Sequence, residues 1–278
     1  MSSIKYYSTL FGYVVCLFSS LEYIKGVVKG SVVNLIYNGQ NCDFSVLGYS
    51  FAMPFRCFRS QYRSIFIEDE YDFPWEGEEL RVLDLGANFG MSCLFFLSRF
   101  PQSKVTAFEA DPAIFKTLKS NLDNIDVGSR IELFNSAAWI ADGVLGFNAD
   151  GMDGGAVAPA NGENALNNIP CTDIKRIMKE NKFDVVKIDI EGAEKTLIPY
   201  IAEELSDVSL IMFEYHSECD SDQKLNDIFA GLAAQQFRFH IRSEDDVMNP
   251  FTSSSDGHGF ENRVVIYCYK QQLKKIRN

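Results

Sequence analysis

Four short groups of residues combine types and spacings that could do chemistry: Asp84-Leu-Gly86-Ala-Asn88-Phe-Gly90, Glu109-Ala-Asp111, Asp189-Ile-Glu191-Gly192 and Glu214-Tyr-His216. The first is a turn bracketed by glycines, which adopt backbone conformations closed to other residues, with an acid just ahead of it. The other three are rich in carboxylates, and the last adds one of only three histidines in the chain. Such groups can grip hydroxyls, face a cation or move a proton, and gathering them in one place is costly for a purely structural core.

Each group follows a short apolar run, and helical periodicity resumes after most of them. The sequence predicts strands at Arg81–Leu85, Lys104–Glu109, Ile131–Phe134, Asp184–Ile188, Ser209–Phe213, Arg238–Ile241 and Val264–Tyr269. Helices are expected at Met91–Phe100, in "DPAIFKTLKSNL" behind Asp111 and Pro112, in "CTDIKRIMKEN", in "AEKTLIPYIAEEL" and at Gln223–Gln235. This alternation is the pattern of a doubly wound, mainly parallel α/β sheet with helices on both faces. In such a sheet ligands bind beyond the carboxyl ends of the strands, where the strand order reverses, and all four groups sit at strand ends. Residues 1–75 lack the rhythm and read as a cap of one helix and short strands ("GSVVNLIYNG", "CDFSVLG"), with the main domain over 76–278. The Gly/Asn/Ala-rich stretch 142–168 interrupts the alternation as a hairpin or loop.

Composition narrows the ligand. The 278 residues carry 38 acids against 26 bases, a formal charge of -12 that repels polyanions and sets nucleic acid aside. Cys16, Cys42, Cys57, Cys93, Cys171, Cys219 and Cys268 are scattered with no zinc-type spacing, as expected of reduced thiols in a cytoplasmic protein. Tyr6 to Leu21 is uncharged but interrupted by Ser8, Thr9, Gly12, Ser19 and Ser20, and falls short of the ~20 apolar residues of a spanning helix. Leu10, Val14, Leu17, Leu21 and Ile24 fall on one helical face, so the segment is expected to be an amphipathic helix packed on the main domain, with no transmembrane segment. The same extension offers a surface for homo-oligomer formation. His258 and the basic tail of Lys270, Lys274, Lys275 and Arg277 are assigned no role.

Two nucleotide-like cofactors suit a glycine turn after a first strand. A nicotinamide dinucleotide wants Gly-x-Gly-x-x-Gly, with its pyrophosphate against backbone N–H groups. Here Ala87-Asn88-Phe89 stands between Gly86 and Gly90, and Asp84 lies just upstream. An acid is awkward beside a pyrophosphate and suited to the cationic amino or sulfonium part of S-adenosylmethionine. Glu109 is where either cofactor has its ribose hydroxyls gripped. Structural roles compete: Asp84 can cap its turn, Glu109 can be a surface acid, and Asp189 and Glu191 can cap the helix that follows.

Taken together, "VLDLGANFG", "AFEADP", "CTDI", "FDVVKIDIEGAE" and "MFEYH" resemble the FkbM family of class I S-adenosylmethionine-dependent methyltransferases, over roughly residues 65–270. "RSIFIEDEYDF" is similar to that family's lead-in. The resemblance implies a seven-stranded sheet with an antiparallel last strand, and transfer of a methyl group to a hydroxyl of a sugar, glycan or natural-product small molecule, leaving S-adenosylhomocysteine. It places Asp84, Gly86, Ala87, Asn88 and Gly90 around the methionine part of the cofactor, and Glu109 and Ala110 at the ribose. Ser136 and Ala137 fall beside the adenine, and Asp189, Glu191 and Gly192 beside the methyl donor and acceptor. An alcohol needs a general base, and neutral His216 has a suited intrinsic pKa, with Asp189, Glu191 and Glu214 as rivals or orienting partners. A divalent metal on Asp189 and Glu214 ranks below it, since neither strand end shows a fuller oxygen-ligand set, and no metal ligands are assigned. N-methylation, a NAD(P)-dependent oxidoreductase and a catalytically silent binding module are the alternatives. The 142–168 stretch matches no family pattern and leaves the acceptor open.

Overall fold

A computed structural model of the chain describes residues 21–29, 41–148, 155–157, 167–218, 222–243 and 260–273. The expectations for Leu10, Val14, Leu17, residues 30–40, much of 142–168, His258, Lys274, Lys275 and Arg277 lie outside them. The first elements among the described residues are helix α1 (21–29), the antiparallel hairpin β1 (Asn41–Val46) and β2 (Tyr49–Pro54), and helix α2 (Phe55–Tyr62), which runs on into a wider helical turn at Arg63–Ile67. There follow β3 (Leu80–Leu85), α3 (Met91–Arg99), β4 (Ser103–Glu109), α4 (Pro112–Asp123), β5 (Ile131–Asn135), β6 (Ala137–Trp139), β7 (Gly143–Asn148), β8 (Ala156–Val157) and β9 (Asn167–Asp173). The chain continues through α5 (Ile174–Glu180), β10 (Val185–Ile188), α6 (Glu194–Ile201), β11 (Leu210–Glu218), α7 (Leu225–Ala234), β12 (Arg238–Ser243) and β13 (Phe260–Tyr269).

Seven strands form the main sheet in the order β12-β13-β11-β10-β3-β4-β5. All neighbours are parallel except β13, which runs antiparallel to β11 and β12. The order reverses between β3 and β10, and there the two sides of the crevice meet. This is the doubly wound, class I arrangement expected from the sequence.

The period of two along each strand explains the layering. On β3, Leu80 and Val82 join a buried cluster with α2, α3 and α4, while Leu83 and Leu85 join a second with α5, α6 and α7. Val185 and Val186 divide in the same way on β10. Phe44, Phe51, Phe58 and Tyr62 of the N-terminal elements lie in the first cluster, so they share a core with α3 and α4. Asn121 of α4 ties the two parts: it accepts from Ala52 N at 2.8 Å and donates to Ala52 O and Phe89 O, both at 3.0 Å.

The 142–168 stretch holds a hairpin, one of the two forms expected: β7 pairs antiparallel with β8 and β9, and with β6 they make a four-stranded sheet. Two expectations need correction. Cys171–Asp173 belongs to β9, and α5 starts only after Asp173, whose carboxylate accepts from Lys175 N and Arg176 N. The described part of the N-terminal helix packs by the face opposite to the expected one, with Leu21, Ile24 and Val28 exposed. Glu22 is buried instead, taking hydrogen bonds from Ser45 Oγ, Leu47 N, Gly48 N and Tyr62 Oη, and those four donors outweigh an apolar stripe. No helix among the described residues is long and apolar enough to cross a membrane.

Candidate active site

The turn after β3 is built by positive φ angles at Gly86 (+86°), Asn88 (+49°) and Gly90 (+96°). A Cβ on Gly86 would stand 1.8 Å from Asp189 O, and one on Gly90 would stand 2.7 Å from Leu118 Cδ1. The glycines therefore let the turn close on β10 and α4, a packing reason in addition to any approach to a ligand. All five N–H groups of the turn are engaged. Gly86 and Ala87 donate to Phe108 O (3.0 and 2.9 Å), Asn88 to Glu109 Oε2 (2.9 Å), Phe89 to Asn88 Oδ1 (2.8 Å) and Gly90 to Ala87 O (2.9 Å).

Glu109 ends β4 and locks the turn to it, with Oε1 accepting from Asp111 N at 2.8 Å. Each oxygen keeps a free lone pair, enough for a vicinal diol. Burial pushes the carboxyl up to about 7, against the pull of the Asp111 and Asn88 hydrogen bonds. Asn135 at the end of β5 donates to Glu109 O (2.9 Å) and Ala110 O (3.3 Å), and Ser136 N donates to Glu109 O (3.1 Å). Ser136 and Ala137 thus adjoin the expected ribose position, with Ser136 Oγ 2.8 Å from Thr172 Oγ1.

Asp84 is fully buried. Its Oδ2 accepts from Ser92 Oγ (2.6 Å) and Cys93 Sγ (3.4 Å), and its Oδ1 lies 3.4 Å from Lys187 Nζ. The parallel register sets Lys187 directly beside Asp84, and both follow the side of the sheet that faces α3. Lys187 also donates to Gly86 O at 2.6 Å and lies 3.6 Å from Asp189 Oδ2. Burial alone would lower the lysine pKa, but Asp84 and Asp189 reverse the direction and keep it charged. Asp84 therefore acts through Ser92 and Lys187 on the shape of the turn and presents no exposed atom to a cofactor.

The remaining predicted residues converge just after β10 and on β11, which runs on to Glu218 past the end expected at Phe213, so that Glu214 and His216 are strand residues paired with β13. Glu191, at φ +52°, places Oε2 3.3 Å from His216 Nε2, and Glu214 Oε1 is 3.5 Å from the same nitrogen. His216 Nδ1 faces Glu194 Oε1 at 3.3 Å. Glu194 is buried and accepts from Ile190 N (2.9 Å) and Gly192 N (3.0 Å), which fixes the 190–192 turn. Burial would lower the His216 pKa, but Glu194, Glu191 and Glu214 raise it, so the ring differs from the neutral imidazole expected. Burial and the neighbouring acids push Glu191 up.

The sequence-predicted residues thus gather along the reversal point. The fold adds four that the sequence reading passed over. Lys187 and Glu194 stood inside "KIDIEGAE" as the only cation and the last acid of that run. Gln61 of α2 donates to Asn88 Oδ1 at 3.0 Å, from a helix that the sequence reading did not place. Tyr71 is buried, and burial followed by Glu70, Asp189, Asp84 and Glu214 raises its phenol pKa, which puts it under the same carboxylates.

The profile of the family described as "Methyltransferase FkbM domain" matches residues 84–240, more than half of the chain. "Methyltransferase 1" of Beauveria bassiana (strain ARSEF 2860) is 36% identical over 62 residues, covering 22% of this chain and 25% of its own length. "Methyltransferase sdnD" of Sordaria araneosa is 30% identical over 84 residues, covering 30% of this chain and 32% of its own. The chain thus spans a third or less of the length of either relative in the matched region. A crystal structure of methyltransferase FkbM from Methylobacillus flagellatus KT superposes with a TM-score of 0.49 at 14% identity, over 77% of this chain and 54% of that one.

Proposed function

Because the chain belongs to the FkbM methyltransferase family, we propose that it binds S-adenosylmethionine and methylates a hydroxyl of a sugar, glycan or natural-product small molecule. The observation that carries this reading is the turn after β3, whose five N–H groups are all used within the protein while the Glu109 carboxylate beside it keeps acceptor capacity. A pyrophosphate needs free N–H donors, and the five of the turn itself are all spent. A nucleoside whose ribose donates two hydroxyl protons, and whose other end is cationic, meets Glu109 on one side and Asp189, Glu191 and Glu214 on the other. When bound, the cofactor supplies an electrophilic methyl group.

The chain's own residues supply placement and proton handling. Glu109 and the backbone at Ala110, Ser136 and Ala137 hold the nucleoside. Asp189 and Glu214, with side chains 32% and 21% exposed, are within reach of an acceptor hydroxyl and take its proton. His216 is 2% exposed with both nitrogens facing carboxylates, so it acts as a positioning residue for Glu191 and Glu214.

Isothermal titration with S-adenosylhomocysteine, run beside NAD and NADP, tests the reading. Micromolar binding of the first alone is expected, and binding of a dinucleotide in its place would overturn it. Glu109 adds a pH signature. Its folded pKa of about 7 lies above the ordinary 4.5, so proton loss from Glu109 destabilises the fold as pH rises between them, while the charged form that ribose prefers accumulates. Affinity should therefore increase as pH rises toward about 7, by up to about tenfold per unit. Glu109→Gln should bind more weakly and show a flat profile over the same range.

A further inference from the structure

The geometry points to a divalent transition-metal site formed by Asp189, Glu214 and His216. Each of the three offers one ligand atom, and these atoms lie within 4.8 Å of one another. That is the span of donors around a single ion with bonds of roughly 2.0–2.6 Å. Asp189 immediately follows β10, and Glu214 and His216 lie two residues apart within β11, on the same side of that strand, so the sheet itself sets their spacing.

The histidine separates this cluster from a chance gathering of acids. Its Nδ1 is turned to Glu194 Oε1 at 3.3 Å, and Glu194 is fixed by two backbone N–H groups. A carboxylate behind one ring nitrogen, with the other nitrogen facing oxygen donors, is how proteins orient a metal-binding imidazole. Nε2 faces Glu191 Oε2 and Glu214 Oε1 at 3.3 and 3.5 Å, so Glu191 stands ready as a fourth donor and the third oxygen among them. Its left-handed backbone is uncommon outside glycine and belongs to the turn that brings this carboxylate to the ring. Two cations border the cluster: Lys187, which also serves Asp84 and Gly86 O, and Arg263, whose Nη1 is 4.0 Å from Glu214 Oε1. An imidazole among carboxylates favours manganese, iron or zinc over magnesium or calcium, which prefer oxygen alone.

This revises the ranking drawn from sequence, where only Asp189 and Glu214 were in view as ligands; the fold adds His216 and Glu191. Cation binding stands on the geometry alone. Its use, to lower the pKa of an acceptor hydroxyl, rests on the methyl-transfer reading.

Manganese(II) is the probe. The full chain, freed of metal, is titrated with Mn²⁺ while the electron paramagnetic resonance signal of the free ion is followed, and S-adenosylhomocysteine affinity is measured on the same samples. One Mn²⁺ per chain is expected, with binding lost in Glu214→Gln and in His216→Gln and weakened about 10–100-fold in Glu194→Gln. A circular dichroism spectrum and a thermal unfolding transition like those of the wild-type chain show that a variant is folded. An undiminished free-ion signal with the wild-type chain, or equal Mn²⁺ binding by the two ligand variants, overturns the metal site. If S-adenosylhomocysteine binds and Mn²⁺ does not, the inference falls and the methyltransferase reading stands; the reverse result separates them the other way.

Discussion

Gly86→Ala is expected to abolish S-adenosylhomocysteine binding and to lower the melting temperature by roughly 10 °C, the consequence of losing about 3–5 kcal/mol in a chain of this size. Two costs combine. The backbone at Gly86 has φ +86°, where an alanine is strained by about 1–2 kcal/mol. The added methyl would also stand 1.8 Å from Asp189 O and 2.9 Å from Asp189 C, both backbone atoms that no rotamer change can move. Relief requires the ends of β3 and β10 to separate. That loosens Lys187 from Gly86 O and Asp189 N from Leu85 O, and opens the floor of the crevice. Calorimetric titration and thermal unfolding read both effects; an alanine variant that binds within a few-fold of wild type would show the turn to be more tolerant than its geometry allows.

Lys187→Met should destabilise the fold by about 3–5 kcal/mol, because it leaves Asp84 buried without its counter-charge. Ser92 and Cys93 still donate to Oδ2, but Oδ1 has no hydrogen bond even in the intact protein. The second change Asp84→Asn removes the stranded charge, so the double variant should recover a large share of the loss. Urea unfolding of the two single variants and the double variant gives the coupling directly. A loss below about 1 kcal/mol for Lys187→Met would mean that water or another cation reaches Asp84.

These two residues also mark where sequence reading stopped. The strand, glycine turn and helix around Val82–Phe100 were legible from periodicity and turn chemistry, and Glu109 from its place at the next strand end. The convergence of Asp189, Glu191, Glu214 and His216 followed from the rule for doubly wound sheets. The partner of Asp84 was not legible, because it depends on the register of two parallel strands, with Lys187 and Gly86 standing 101 residues apart. Local pattern carries no information on register between distant strands. The same blindness assigned Asp84 to the cofactor, since an acid after an apolar run looks alike whether it faces solvent or a buried amine. On α1, Glu22 outweighed the visible apolar stripe because its donors come from β1, its turn and α2, all remote from it in the chain.

The shared core of the N-terminal hairpin, α2, α3 and α4 has a consequence for how such a chain can be recombined. Phe44, Phe51, Phe58 and Tyr62 cover apolar surface of the sheet's helices, Asn121 bonds both sides, and Gln61 reaches the glycine turn. A gene fusion or shuffling event that cut near residue 75 would deliver a sticky fragment with an uncovered face and a loosened turn, prone to aggregation. Lineages that pass this catalytic unit between genes are therefore expected to carry the stretch from about residue 41 onward as a single inherited block.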